Sequence, residues 1–270
     1  MSKVIAKTIV SSETELPFVL MNLEELIDYV DLFIICEANV THAGEYKVHH
    51  LRDYFMKSIN SEKVIFLEID LVDGCLPYDG ESESMHHNEQ LIRNGFTKYI
   101  DLSPNDIVIS MDADEVLFGK RIKQLIKRLQ RRFLNRGSYV LRLNQVIYKL
   151  SYQWVDCDFR GPVVCHAKFY LSQHNPQWRY LGFPTLRKSG THFSWLMNPS
   201  DMVKKILAYS HRAENEKFAS PELLQIAVSE RLYPFEPERS FSIRLSKNLN
   251  DTYYPRALSK YEYLFSEELH

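Results

Sequence analysis

Asp106-Ile107-Val108-Ile109-Ser110-Met111-Asp112-Ala113-Asp114-Glu115 is the stretch that decides how this chain is read. Ile107, Val108, Ile109 and Met111 form a short apolar run of β-branched character, the pattern of a strand covered on both faces. The run stops at three carboxylates, Asp112, Asp114 and Glu115. In an open α/β sheet, ligands sit at the carboxyl ends of the strands. Residues two apart on a strand point the same way, so Asp112 and Asp114 can converge. Carboxylates that close repel unless a cation or a shared proton intervenes. A hard divalent ion answers that need and leaves positions open for phosphate oxygens. The plain alternative is a strand followed by an acidic turn into a helix.

Upstream, strands alternate with helices. Lys3 to Val10 reads as a first strand. Ser11, Ser12 and Thr14 offer caps for a helix from about Glu15 to Tyr29, with Pro17 in its first turn. Leu16, Leu20, Leu23, Leu26 and Ile27 share one face of it. Asp31 to Glu37 is a second buried strand, followed by a polar loop to Lys47. A helix is expected over His50 to Ile59, a strand over Lys63 to Asp70, and a helix from about Met85 to Tyr99. This alternation predicts an α/β domain with a mostly parallel sheet whose acidic strand ends share one edge. The half is Rossmann-like but lacks Gly-x-Gly-x-x-Gly, which argues against a dinucleotide oxidoreductase.

Downstream the pattern changes. In residues 120–133, Ile122, Leu125, Ile126, Leu129 and Phe133 keep helical spacing and nearly everything else is basic, Gln124 and Gln130 excepted. That is either a core helix with a solvated face or a helix making weak peripheral contact with anionic lipid. Ser138 to Tyr148, Tyr152 to Asp158 and Val163 to Leu171 follow as strands without intervening helices, hence antiparallel. An aromatic, proline-containing loop runs from Gln173 to Gly190, then a short strand or turn at 191–195. An amphipathic helix ends near His211, and another covers about Pro221 to Leu232. The expected layout is one continuous domain: residues 1–118 for nucleotide binding, 119–240 for an acceptor, and 241–270 as a C-terminal extension.

With 270 residues and a net charge of -2, the chain can bury a sizeable core and has no overall pull toward nucleic acid. Its 16 Tyr and 15 Phe serve core packing first and sugar or base stacking second. Cys36, Cys75, Cys157 and Cys165 form no Cys-x-x-Cys and read as reduced thiols. The N-terminus shows no signal-peptide pattern, and no apolar run approaches the roughly 20 residues of a membrane span. A cytoplasmic location is the expectation.

An ordered series of residues resembles glycosyltransferase family 17, the family of the bisecting β-1,4-N-acetylglucosaminyltransferase. It comprises Glu15-Leu16; Leu23-Glu24-Glu25-Leu26; Glu37 to Lys47 with Thr41 and Gly44; Asn88-Glu89 with Arg93-Asn94; Asp112-Ala113-Asp114-Glu115; Pro176-Gln177 with Arg179; Gly190 to Trp195; and Lys205 with Ser210-His211. The chain departs from that pattern at Asn22, Val116-Leu117, Thr191 and Ala213. The resemblance implies a GT-A-like fold and a metal-dependent, inverting transfer of a sugar from a nucleotide-sugar, with UDP-N-acetylglucosamine as donor and a carbohydrate as acceptor. It implies Mn²⁺ or Mg²⁺ held by Asp112 and Asp114, with His192 or His211 as a later ligand. Lys47, Arg93, Arg179 and Lys205 are then phosphate or substrate contacts. Glu37, Thr41 and Gly44 lie where base and ribose would sit, and Trp154, Trp178 and Trp195 are candidates for stacking on a sugar. Inversion needs a general base. Asp158, Glu115 and Glu89 are the leading choices, with Asp156 and Glu214 behind them, and Asp158 is preferred because it lies in the acceptor half.

Two other readings compete. The segment 108–116 also resembles the Asp-x-Asp motif of haloacid-dehalogenase-type phosphatases, with Asp112 as nucleophile and Asp114 as acid/base. That family carries the motif on its first strand and needs a later Lys and acidic pair that are not evident here. The remaining alternative is a non-catalytic carbohydrate-binding protein on a transferase-like fold, against which the intact acidic motif speaks.

Overall fold

The structure, a computed structural model, describes residues 2–71, 74–131, 137–172, 183–236, 239–266 and 269–270, with residue 158 described by its backbone alone. Strands β1 (Val4–Val10), β2 (Leu32–Ala38), β3 (Val64–Ile69) and β4 (Ile107–Asp112) alternate with helices α1 (Leu16–Leu26), α2 (Arg52–Met56) and α3 (Ser82–Asn94). These four strands are parallel, in the order β3-β2-β1-β4. Their carboxyl ends therefore share one edge, as the sequence predicted. A 3-10 turn at Glu13–Glu15, closed by a capping box in which Glu15 accepts from the backbone of Ser12, leads into α1, and Pro17 stands where its missing N–H is not needed.

The chain continues through β5 (Glu115–Leu117), α4 (Gly119–Leu129), β6 (Ser138–Ile147), β7 (Tyr152–His166), α5 (Ala167–Ser172), β8 (Thr185–Leu186) and β9 (Gly190–Ser194). After β9 come α6 (Pro199–Ala208), α7 (Arg212–Asn215), α8 (Pro221–Glu230), β10 (Ile243–Leu245) and α9 (Leu258–Tyr261). β7 pairs antiparallel with β4, so the parallel sheet runs on through β7, β6 and β9 to β5 as one sheet. The two expected strands at 152–158 and 163–171 are instead one long strand, and residues 167–172 are helical. Gly161 and Pro162 fall at a register shift opposite Leu141, where a bulge tolerates a residue that cannot donate to the ladder. The short strand or turn expected at 191–195 is β9, which runs parallel to β6 and antiparallel to β5.

Helices cover both faces of the parallel half. One core joins Leu16, Val19, Leu23 and Leu26 of α1 and Ile122, Leu125, Ile126 and Leu129 of α4 to Ala6, Phe33, Ile35 and Ile109. The other joins Ile92, Phe96 and Tyr170 to Ile5, Ile34 and Val108. Each such fully buried side chain contributes about 1.5–3 kcal/mol. The apolar stripe of the basic helix thus belongs to the core, leaving its charged face to solvent; Phe133 lies outside the described residues. No helix among the described residues is long and apolar enough to cross a membrane.

Candidate active site

The acidic stretch forms where the parallel half meets the antiparallel one. β4 ends at Asp112, and a turn through Ala113 and Asp114 leads directly into β5. Glu115 is fully buried, and its Oε2 accepts the Asp112 N–H at 2.7 Å, which closes the turn. Asn22 of α1 braces the other side. Its Nδ2 donates to the Glu115 carbonyl at 3.2 Å and its Oδ1 accepts from the Leu117 N–H at 3.0 Å. With Asp114 in the turn rather than on the strand, the two aspartates acquire different partners.

Asp112 faces α3. Arg93 grips it with two parallel hydrogen bonds, Nη1 to Oδ1 at 2.5 Å and Nη2 to Oδ2 at 2.8 Å. Arg93 also donates from Nε to Glu89 at 2.9 Å, and Glu89 lies 3.5 Å from His86 Nδ1. Burial alone would lower the Arg93 pKa, but Asp112 and Glu89 raise it well above its usual value, so the guanidinium stays charged. Asp114 faces the other half. Lys205 of α6 donates to its Oδ2 at 3.0 Å, and His192 Nε2 lies 3.6 Å from its Oδ1. Burial would raise the Asp114 pKa; Lys205 and His192 outweigh it and hold the carboxyl below the usual range. Burial pulls the Lys205 pKa down, yet Asp114 and Glu15 raise it on balance. The His192 ring stacks on Phe159, centroids 3.9 Å apart, and its Nδ1 meets Gln145 Oε1 at 2.9 Å.

Asp114 Oδ1 and His192 Nε2 lie 3.6 Å apart; the carboxylate suits Mn²⁺ or Mg²⁺, and the pair would supply two of the several donors such an ion needs. Asp112 presents its oxygens to Arg93 instead, and among the described residues no three His, Cys, Asp or Glu side chains cluster in a way that could hold an ion. His211 sits apart from the turn. It precedes α7, half exposed, with its ring 5.3 Å from His86 and its Nδ1 3.9 Å from Glu214.

Glu37, at the end of β2, is fully buried and holds its own loop together. It accepts from Lys47 Nζ at 3.1 Å and from the backbone N–H groups of His50 at 3.3 Å and Leu51 at 3.1 Å. Thr41 closes the same loop through Gly44 N–H to Thr41 carbonyl at 3.0 Å. Gly44 has φ +75, and a Cβ there would lie 2.2 Å from the Leu76 carbonyl oxygen, so only glycine fits. Trp195 is 6% exposed, stacked on Phe235 and edge-on to Tyr209, with Lys205 over its ring. Trp154 is likewise enclosed, by Tyr233 and Phe241. Both indoles are core. Arg179 and Trp178 lie outside the described residues, as does the Asp158 side chain on β7.

Three contributors were not singled out from sequence. Gln145 is a buried polar residue in an apolar strand, which was the available signal. Glu15 was read as a helix start and as part of the family pattern, with no role in the site; burial raises its pKa, and Lys205 and Asp114 are close enough to act on it. His42, whose pKa burial lowers, feels Glu89, Arg93 and Asp112.

No curated protein sequence matches the chain. Similar solved structures include 4-diphosphocytidyl-2C-methyl-D-erythritol synthase, at 14% identity and TM-score 0.41, covering 70% of this chain and 90% of that one. CMP:2-keto-3-deoxy-manno-octonic acid synthetase complexed with CTP gives 9% identity and TM-score 0.37, covering 69% and 89%. The galactosyltransferase LgtC in complex with donor and acceptor sugar analogs gives 9% identity and TM-score 0.35, covering 63% and 59%. None is close enough to carry a function across. The family model does that: it matches residues 1–253, nearly the whole chain including every element of the acidic site, and the chain belongs to glycosyltransferase family 17.

Proposed function

We propose that the chain is a metal-dependent, inverting glycosyltransferase that takes N-acetylglucosamine from UDP-N-acetylglucosamine and passes it to a carbohydrate hydroxyl. The observation that carries this reading is the acidic turn at the end of β4, where Asp114, His192 and Lys205 meet from separate elements. Asp114 and His192 would hold the ion, and a bound Mn²⁺ or Mg²⁺ would neutralise charge developing on the departing nucleoside diphosphate.

The chain's own groups do the rest. Lys205 places an ammonium beside Asp114, where it would meet the same phosphates. Arg93 keeps Asp112 oriented and, through Glu89, ties that carboxylate to α3. The loop ordered by Glu37 would form the wall against base and ribose. Glu115 is committed to the Asp112 N–H, Glu89 to Arg93, Asp156 to the Ser242 N–H and Glu214 to Ser82 Oγ, and we keep Asp158 as our choice of general base for the acceptor hydroxyl. The dehalogenase-type alternative needs a free Asp112 nucleophile, whereas both of its oxygens lie in the Arg93 fork. Four free cysteines, two of them buried, support a reducing, cytoplasmic setting.

Calorimetric titration with UDP-, GDP- and CDP-linked sugars, first with Mn²⁺ and then with EDTA, tests the donor half. Binding of UDP-N-acetylglucosamine that EDTA and Asp114→Asn both abolish is the expected result. Equal binding with EDTA would remove the metal from the reading, and preference for another nucleotide would remove the donor.

A further inference from the structure

His192 is held by its far nitrogen. Nδ1 meets Gln145 Oε1 at 2.9 Å, and an amide oxygen can only accept. The Nδ1 atom therefore carries the proton, and in the neutral ring Nε2 presents a lone pair. That lone pair faces Asp114 Oδ1, itself an acceptor, across 3.6 Å. Two acceptors face to face need a proton or a metal ion between them; the proton would make His192 a donor to Asp114, and the ion would make the pair a binding site. A ring nitrogen whose partner nitrogen donates to a carbonyl is also how metal-ligating histidines are commonly oriented.

Gln145 is in turn fixed by the C-terminal segment. It is 2% exposed and lies directly opposite His192 in the parallel pairing of β6 with β9. On its other side the β6–β7 register shifts between Leu143 and Gln145, which leaves ladder groups to be satisfied elsewhere. The Tyr253 phenol fills that gap. Its Oη donates toward the carbonyls of Gln145 at 2.9 Å and Trp154 at 3.1 Å, and accepts from the Gln145 N–H at 3.2 Å. The Tyr253 carbonyl accepts from Thr191 Oγ1 at 2.6 Å and from Asn144 Nδ2 at 2.8 Å, tying both neighbours of the pair to the same residue.

We propose that Gln145 is a positioning residue of the ion site, locking His192 in the Nδ1–H tautomer with Nε2 toward Asp114, and that Tyr253 is the peg that aims it. The proposal rests on the ion reading above and deepens it by extending the site to the far end of the chain. Conservative exchange discriminates it from a packing role. Glu at 145 keeps an acceptor for Nδ1–H; Leu keeps the volume and removes the acceptor.

The test is calorimetric titration of the full chain, stripped of metal, with Mn²⁺ alone. Gln145→Leu should bind Mn²⁺ about 10- to 100-fold more weakly than the wild type, and Gln145→Glu should recover most of that loss. Wild-type affinity in a folded Gln145→Leu protein would overturn the proposal while leaving the ion reading intact. Equal Mn²⁺ affinity in the wild type and Asp114→Asn would instead overturn the ion reading, and this proposal with it. If Gln145→Leu does not fold, the wild type decides alone. Two-bond ¹H–¹⁵N correlation of the metal-free protein, with the His192 signal identified by its loss in His192→Gln, should show the Nδ1–H tautomer. An Nε2–H tautomer would overturn the proposal.

Discussion

β2 and β4 both end in carboxylates on the same edge of the sheet, yet the two ends are built differently. At β2, Glu37 is fully buried, and backbone N–H groups of its own loop share it with Lys47. At β4, Asp112 is partly open and Asp114 is buried, and each is met by side chains from elsewhere: Arg93 of α3 for one, Lys205 of α6 and His192 of β9 for the other. A carboxylate satisfied by backbone cannot change partners without unravelling its loop. One satisfied by long side chains can exchange them for an ion or a phosphate. The comparison separates scaffold from machinery among residues that look alike in sequence.

Removing a charge at each end should therefore give opposite phenotypes. Asp114→Asn should lower turnover by about 10²–10³-fold, the scale of losing one preorganised electrostatic contact, while the melting temperature stays close to the wild type's. Glu37→Leu should do the reverse. It strands Lys47 and the loop N–H groups and should cost about 3 kcal/mol in urea denaturation, the low end for a broken buried pair because Lys47 still reaches solvent. A folded, fully stable Glu37→Leu protein without donor binding would erase the distinction.

Asn22 sharpens it further, because it serves the machinery only through backbone. Truncation to Ala leaves the Leu117 N–H and Glu115 carbonyl without their partner, at a cost of about 2 kcal/mol by urea denaturation. The affinity for donor should fall along with stability, since β5 and the acidic turn lose their brace. Loss of stability with unchanged donor affinity would show that Glu115 alone shapes the turn.

What could be read in advance follows the same division. The parallel half was legible because its strands are continuous apolar runs and its helices carry periodic faces, both local signals. Residues 167–172 misled because Phe169, Tyr170 and Leu171 favour strands in isolation. In the fold, Ala167 and Tyr170 bury together at helical spacing against β4 and β7. β7 read as two strands because Gly161 and Pro162 look like a break, and only pairing on both sides makes them a bulge. In the site, the carboxylates announced themselves, but the partners of Asp114 come from 91 residues away for Lys205, and Gln145 lies 47 residues from His192. No local pattern encodes such pairings. Asn22 and Thr191, noted as departures from the family pattern, both turn out to hold backbone carbonyls near the acidic site or the C-terminal peg.

The smallest expected effect lies at the far edge of the antiparallel half, where a carboxylate is again satisfied locally. Asp156 accepts from Ser240 Oγ and from the Ser242 N–H at 3.0 Å, pinning the approach to β10, which adds only three residues to β7. Burial is the largest single influence and opposes its ionisation, but the hydrogen bonds from Ser240 and Ser242 together prevail and hold its pKa at about 2. The folded pKa is thus depressed below the unfolded value of about 3.9. Its contribution to stability is present above that unfolded value and is lost as pH falls through about 2. Because Asp156 is exposed, solvent screening limits that contribution to a few tenths of a kcal/mol. The stability gap between the wild type and Asp156→Asn should accordingly be widest from neutral pH down to about 4 and close on further acidification. A carboxyl carbon titrating near the unperturbed value in the folded protein would show that β10 is held by its ladder and apolar contacts alone, without help from the side chain.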